Sequence, residues 1–263
     1  MQQQLVDKYA PRRIGDFVGL AAPKAMFSRL VADPYQSSWL SLGNPGVGKT
    51  AMSFAAAHAM KAAIHHVPAR QCDLEEVDRI CRMCAGYPMI GERWVVIIDE
   101  ADVITGPAQL ALLSVLDGTA GLKDVVFLMT ANSTKLLHDR FLSRVRTLHF
   151  NAPSDDEVAE FLQRVFKAER GKGRPDFTAI AAAARGNVRS ALMTLETELL
   201  VPGSFVPLPP APIPMVSATT SAAGSSNNHA QPSEITELQQ RRSDAAKRAW
   251  ASSPKLQALR KRA

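Results

Sequence analysis

The chain has 263 residues, of which 46% are hydrophobic and 21% charged, close to the averages of globular proteins, so neither a wholly disordered nor a fibrous polypeptide is expected. That length supports one sizeable core, or an α/β core with a small satellite, and not three full domains. The net charge of +6 is unevenly placed, because residues 234–263 hold eight basic and three acidic side chains and the remainder is within one charge of neutrality; the basic signal belongs to the carboxyl-terminal segment.

From residue 20 to 150, short apolar runs alternate with helical patterns. The runs are WLSL at 39–42, AIHHV at 63–67, WVVII at 94–98 and DVVFLMT at 124–130. Such alternation predicts an α/β fold with a mostly parallel sheet covered by helices. WVVII has no polar alternation, as expected of a central strand buried on both faces, and chemistry is expected at its carboxyl end. After Pro153 only helical patterns remain. Ser154 and Glu157 form a capping box, and Val158, Phe161, Leu162, Val165 and Phe166 share one face of the helix that follows. Segments 175–184 and 187–200 continue the helical pattern. The expected organisation is therefore an α/β domain over 1–152, a small helical domain over 153–200, a Pro/Ser-rich linker over 201–233 and a basic helical tail over 234–263.

Residues Gly43-Asn44-Pro45-Gly46-Val47-Gly48-Lys49-Thr50 fit G-x-x-x-x-G-K-[ST], directly after a predicted strand and before a helix starting near Ala51. In that context the glycines let backbone N–H groups wrap phosphates, Lys49 neutralises phosphate oxygens and the Thr50 hydroxyl ligates Mg²⁺. A glycine-rich turn could match by accident. About fifty residues on, however, the strand Val95–Ile98 ends in Asp99-Glu100-Ala101-Asp102. An acidic pair there could cap a helix; joined to a P-loop, it predicts Asp99 in the Mg²⁺ shell and Glu100 polarising the attacking water. ATP and Mg²⁺ are the expected cofactors.

With these motifs in place, residues 5–200 resemble the clamp-loader ATPases of replication factor C small-subunit type and their phage counterparts, which are AAA+ proteins. Leu5-Val6-Asp7-Lys8-Tyr9-Ala10-Pro11 and Asp16-Phe17-Val18-Gly19 are similar to the family's V-E-K-Y-R-P and D-x-V-G segments, which implies a base pocket formed by Val6, Tyr9, Phe17 and Val18. Asp99–Asp102 has the D-E-A-D spelling common in these loaders. Thr130-Ala131-Asn132 resembles sensor 1, which implies that Asn132 faces the γ-phosphate or the water. Leu142-Ser143-Arg144-Val145 resembles the S-R-C motif with valine for cysteine, implying that Arg144 is a finger reaching a neighbouring subunit's ATP. Gly186-Asn187-Val188-Arg189 resembles sensor 2, implying that Arg189 lies over the γ-phosphate of its own subunit. The family normally continues into a helical collar where this chain passes into proline-rich sequence, which leaves the oligomeric state open between homo- and hetero-oligomer.

The implied function is ATP-dependent placement of a sliding clamp on DNA, with a clamp and other loader subunits as partners. A nucleotide-gated adaptor of little turnover and an AAA+ remodelling or recombination ATPase are the rival readings. Cys72, Cys81 and Cys84 resemble three positions of the zinc module of bacterial clamp loaders, but Tyr87 stands at the fourth, so packed thiols are expected. Three cysteines make no disulfide framework, no apolar run reaches the roughly 20 residues of a membrane span, and the amino terminus lacks a secretory signal; a cytoplasmic protein is expected. His65 and His66 read as ordinary packing in a strand. In the tail, Arg241, Arg242, Lys247, Arg248 and Trp250 combine charge with an aromatic ring, which favours nucleic-acid contact over a solvated or a partner-binding helix.

Overall fold

The computed structural model describes residues 4–118, 121–122 and 124–205. The tail, with Arg241, Arg242, Lys247, Arg248 and Trp250, and most of the linker lie outside the described residues. A short helix α1 (Leu5–Lys8) and a 3₁₀ turn (Ile14–Asp16) lead to α2 (Ala21–Ala32) and β1 (Ser37–Gly43). Then come α3 (Lys49–Ala59), β2 (Ala63–Pro68), α4 (Leu74–Cys84), β3 (Trp94–Asp99), a 3₁₀ turn (Ala101–Val103) and α5 (Gly106–Leu116). The sheet is completed by β4 (Val125–Ala131) and, after α6 (Asp139–Leu142), by β5 (Arg146–Phe150). Three further helices follow, α7 (Asp155–Ala168), α8 (Phe177–Ala184) and α9 (Val188–Leu200).

The five strands are all parallel, in the order β2-β3-β4-β1-β5. The four strands read from the sequence are present. The fifth, β5, was not anticipated, because an edge strand of the pattern RTLHF buries only Phe150 fully and carries no continuous apolar run. The central strands do carry one, and the structure shows why. Val95 and Ile97 of β3, with Val126 and Leu128 of β4, pack under α2 and α3; Val96 and Ile98, with Phe127 and Met129, pack under α4 and α5 on the other face. Side chains that alternate between two buried faces must all be apolar. The helix over the P-loop starts at Lys49, two residues earlier than expected, and turns small residues, Ala55, Ala56 and Ala57, onto the sheet.

Helices α7 to α9 close around a separate apolar cluster of Val158, Leu162, Val165, Ile180, Ala191 and Leu195. Each begins with a side-chain cap: Ser154, in a complete capping box with Glu157, Asp176 and Asn187. Such caps contribute about 1 kcal/mol apiece. Leu5 of α1 is buried in this cluster and not in the sheet's core, so the amino-terminal helix belongs by its contacts to the group α7 to α9, referred to below as the lid. No helix of the described residues is long and apolar enough to cross a membrane.

Cys72 and Cys84 are buried in the core beside α4, and burial pushes their thiols up to about 11 and about 12, which disfavours the thiolate that a metal would need. His66 meets the Phe54 ring edge-on at 5.1 Å. His65 does more than pack: its Nε2 lies 2.6 Å from Glu76 Oε1, joining β2 to α4.

Removing the Ile97 side chain from between the sheet and α3 leaves a cavity, so Ile97→Ala is expected to lower unfolding free energy by about 2–5 kcal/mol, whereas Thr147→Ala on the exposed edge of β5 should stay within about 0.5 kcal/mol. Urea denaturation of both variants measures the contrast.

Candidate nucleotide site

All five strands end on one edge of the sheet, and the loop after β1, the end of β3 and the residue after β4 meet there. The loop 43–48 turns sharply, with Gly46 at φ +78° and Gly48 at φ +97°, a region open to glycine at little cost. A Cβ on Gly48 would stand 3.0 Å from the Phe17 ring, and one on Gly46 would collide with the Asn187 side chain. Only bare backbone fits between these neighbours.

Lys49, the first residue of α3, is 7% exposed. Its Nζ donates to the carbonyls of Gly43 at 2.7 Å and Asn44 at 2.9 Å and to Asn132 Oδ1 at 3.0 Å. Burial pushes the ammonium below its usual value, opposed by the nearby carboxylates of Asp102, Asp99 and Glu100. Asp99 Oδ1 accepts two hydroxyl protons, from Thr50 at 2.6 Å and Thr130 at 2.5 Å. The Thr130 oxygen in turn accepts the Glu100 N–H at 3.0 Å. Glu100 is exposed and sits in the left-handed region at φ +60°, a conformation that costs a non-glycine residue about 1–2 kcal/mol and is held here by that hydrogen bond. Asp102 Oδ2 accepts the Asn132 N–H at 3.2 Å; its Oδ1 is buried with no partner among the described residues.

Lys49, Thr50, Asp99, Glu100, Thr130 and Asn132 line a cavity of about 330 Å³, within the range of small-molecule and cofactor sites. Of the residues anticipated from the sequence, Val6, Tyr9, Phe17, Val18, Pro45, Gly46, Val47, Gly48, Lys49, Thr50, Ala51, Asp99, Glu100, Asn132 and Arg189 line it. Gly43 and Asn44 stand behind it, as acceptors for Lys49. Arg144 is elsewhere. It lies at the opposite edge of the sheet, beside Ser37, Ser38 and Arg146 where β1 and β5 begin, with Nε donating to Asp117 Oδ2 at 2.6 Å and Nη1 to the Arg140 carbonyl at 2.8 Å. The lid contributes Phe161, Val188 and Leu192, and it contributes Asn187, which caps α9 and at the same time touches the P-loop. The part played by Thr130, Asp102 and Asn187 was not read from the sequence, although all three stand inside or beside motifs that were.

The residues fit a Mg²⁺–nucleoside triphosphate. A glycine backbone cradle at the start of a helix and a buried ammonium suit phosphate, and the Thr50 hydroxyl with the Asp99 carboxylate forms the hard-oxygen pair that Mg²⁺ takes from protein. Lys49 would face the phosphates, and Val6, Tyr9, Phe17 and Val18 would offer surface to a base.

An edge with this chemistry on a parallel sheet defines a P-loop nucleotide-binding protein. Residues 39–153 match the family described as "ATPase family associated with various cellular activities (AAA)". Similar curated proteins are replication factor C subunit 4 of Oryza sativa subsp. japonica, 27% identical over 73% of this chain and 59% of that protein, and the replication factor C small subunit of Methanocella arvoryzae, 26% identical over 73% and 62%. The chain thus spans about three fifths of the length of these relatives. Among solved structures, the Thermotoga maritima RuvB Holliday junction branch migration motor superposes with a TM-score of 0.62 at 19% identity, over 72% of this chain and 64% of that one, a likeness of fold. The chain is thus similar to AAA-family ATPases over residues 39–153 and, over a longer stretch, to replication factor C subunits.

The double role of Thr130, donor to Asp99 and acceptor of the Glu100 N–H, can be tested directly. Thr130→Val keeps shape but leaves the partly buried Glu100 N–H without its acceptor and Asp99 with one donor fewer, which should cost about 1–3 kcal/mol; Thr130→Ser retains the hydroxyl and should unfold at higher urea than the valine variant. The reverse order would remove the hydroxyl from the account.

Proposed function

We propose that this protein hydrolyses ATP as a clamp-loader subunit, coupling turnover to the placement of a sliding clamp on DNA, together with other loader subunits in a homo- or hetero-oligomer. The observation that carries the reading is the convergence of Lys49, Thr50, Asp99, Glu100 and Asn132 on one cavity beneath the lid residue Arg189. The replication factor C relatives support the cellular task; the rival readings as adaptor or recombination ATPase have no comparable support, since the RuvB likeness is one of fold.

The residues divide the work as follows. Lys49 binds β- and γ-phosphate oxygens; Thr50 and Asp99 hold Mg²⁺, which when bound neutralises charge developing on the phosphoryl group. Glu100 stands at the mouth of the site, where its carboxylate can take a proton from an attacking water, and Asn132, anchored through its N–H by Asp102, orients that water or the γ-phosphate. Arg189 closes over the nucleotide from the lid. Arg144, turned away from its own cavity, acts on the nucleotide of a neighbouring protomer. The tail residues Arg241, Arg242, Lys247, Arg248 and Trp250 contact DNA, chiefly through phosphates.

Lys49→Ala should abolish ATP binding, whereas Glu100→Gln should bind ATP and fail to turn over, because the lysine acts on ground-state phosphates and the glutamate on the water in the transition state. Nucleotide titration and phosphate release, the latter with and without primer-template DNA and candidate clamps, measure both; ATP affinity in Lys49→Ala equal to that of the parent would defeat the assignment. Arg144→Ala should keep ATP affinity in the isolated protomer and lose hydrolysis in the assembly by a factor on the order of 10³ to 10⁵. Mixtures with Lys49→Ala should recover part of the activity, and co-assembled mixtures without recovery would count against shared sites.

A further inference from the structure

The base side of the cavity is built by a segment that has almost no structure of its own. Helix α1 has four residues, far below the length at which an isolated helix is stable, yet Val6 and Tyr9 from this segment form part of the cavity wall. Their neighbours on the other side belong to the lid. Leu5 is buried among the lid's apolar residues, with Val6, Tyr9 and Val18 packed against the same cluster, and the Leu5 N–H points at Glu196 Oε1 of α9 from 3.4 Å.

Apolar packing alone does not fix the rotation of a phenol ring. A polar contact does. Glu169, the cap that follows the last residue of α7, accepts the Tyr9 hydroxyl proton at Oε1 from 2.5 Å, and the same carboxylate meets Lys8 Nζ at 2.7 Å. The Lys8 side chain is 48% exposed and that of Glu169 20%, so the ion pair is screened and the lysine contributes little by itself. The hydrogen bond from Tyr9 to a charged acceptor is the stronger and more directional of the two. Burial and the hydrogen bond to Glu169 push the Tyr9 phenol up to about 12, and the Lys8 and Tyr9 hydrogen bonds hold the Glu169 carboxyl below its usual range; at neutral pH the donor keeps its proton and the acceptor its charge. A phenol has one proton to donate. Since Glu169 takes it, Tyr9 offers a nucleotide base shape and apolar surface.

We propose that Glu169 is a positioning residue for the base side of the nucleotide site, fixing the Tyr9 ring at the cavity and binding the amino-terminal segment to the lid. The proposal rests on the reading of this cavity as an ATP site. Phosphate recognition comes from the P-loop, which Glu169 does not touch, and base recognition comes from a wall that Glu169 holds in place. The two contributions are therefore separable by a ligand that has phosphates and no base.

The test uses the full-length chain and two ligands, ATP and inorganic tripolyphosphate, each with Mg²⁺, titrated by calorimetry. Glu169→Ala should raise the Kd for ATP about 3- to 10-fold, the worth of one net hydrogen bond, and leave the Kd for tripolyphosphate unaltered. Tyr9→Phe should show the same selective loss, and the double variant should be no worse than either single one, since both remove one interaction. Glu169→Gln, which still accepts the phenol proton, should recover most of the affinity. A purely structural role would weaken both ligands together; that result, or an unchanged ATP affinity in Glu169→Ala, overturns the proposal. Failure of the ATP reading is visible separately, as a parent protein that binds neither ligand, and the proposal falls with it.

Discussion

One carboxylate oxygen organises the functional edge of this protein. Asp99 Oδ1 receives the Thr50 and Thr130 hydroxyls, and the Thr130 oxygen receives the Glu100 N–H. Through these three bonds the helix after β1, the end of β3 and the end of β4 are tied together, and no two of these elements are adjacent in sequence. The tie is possible only because β4 lies between β3 and β1 with all strands parallel, which brings the three carboxyl ends to one edge. Strand register enters too. Shifting β3 by one residue would exchange the faces of Val95–Ile98 and move Asp99 off its partners, and the two well-filled faces of the sheet resist that shift. Glu100 then inherits a strained φ from the end of the strand, which the Thr130 bond helps to retain.

The site has a second body, and it is joined to the first by contact of small groups. The loop 43–48 leaves no room at Gly46 beyond the Asn187 side chain, so the beginning of α9 rests on the P-loop. Asn187 is also the cap of that helix. One amide therefore sets both the start of α9, with Arg189 in its first turn, and the distance between lid and loop. The P-loop side of the cavity comes from the sheet and the Val6–Tyr9 wall from residues packed on the lid, an arrangement in which the position of the lid and the shape of that wall are one variable.

What the sequence revealed divides along the range of the interactions. WVVII and VVFLMT were legible as buried strands because burial on both faces writes a continuous apolar run, and the first lid helix was legible because the Ser154–Glu157 capping box opens an apolar face, whereas the caps Asp176 and Asn187 emerge only from the structure. The P-loop and the D-E-A-D segment were legible because their chemistry is local. β5 was not, because an edge strand needs few apolar residues, and its Arg146 spends its charge over the Tyr35 and Trp39 rings. Nor were the pairs His65–Glu76, Arg144–Asp117 and Tyr9–Glu169 legible. Their partners are 11, 27 and 160 positions apart, and nothing in residue type or spacing marks them until the chain is folded.

The placement of Arg144 bears on symmetry. The P-loop lies where the strands end and Arg144 where they begin, so the two features face opposite poles of the sheet. A two-fold pair can set the poles against each other only reciprocally, Arg144 of each copy at the other's cavity, and it closes at two copies. An assembly in which Arg144 of one copy meets the cavity of the next without the return contact is heterologous, and an open series of that kind leaves one unmatched pole at each end. A heterologous series has two outcomes, a closed ring if the rotation per copy divides the circle and an open helix if it does not. The last copy of an open series keeps a nucleotide cavity that no arginine reaches, which makes its site chemically unlike the others although its sequence is the same.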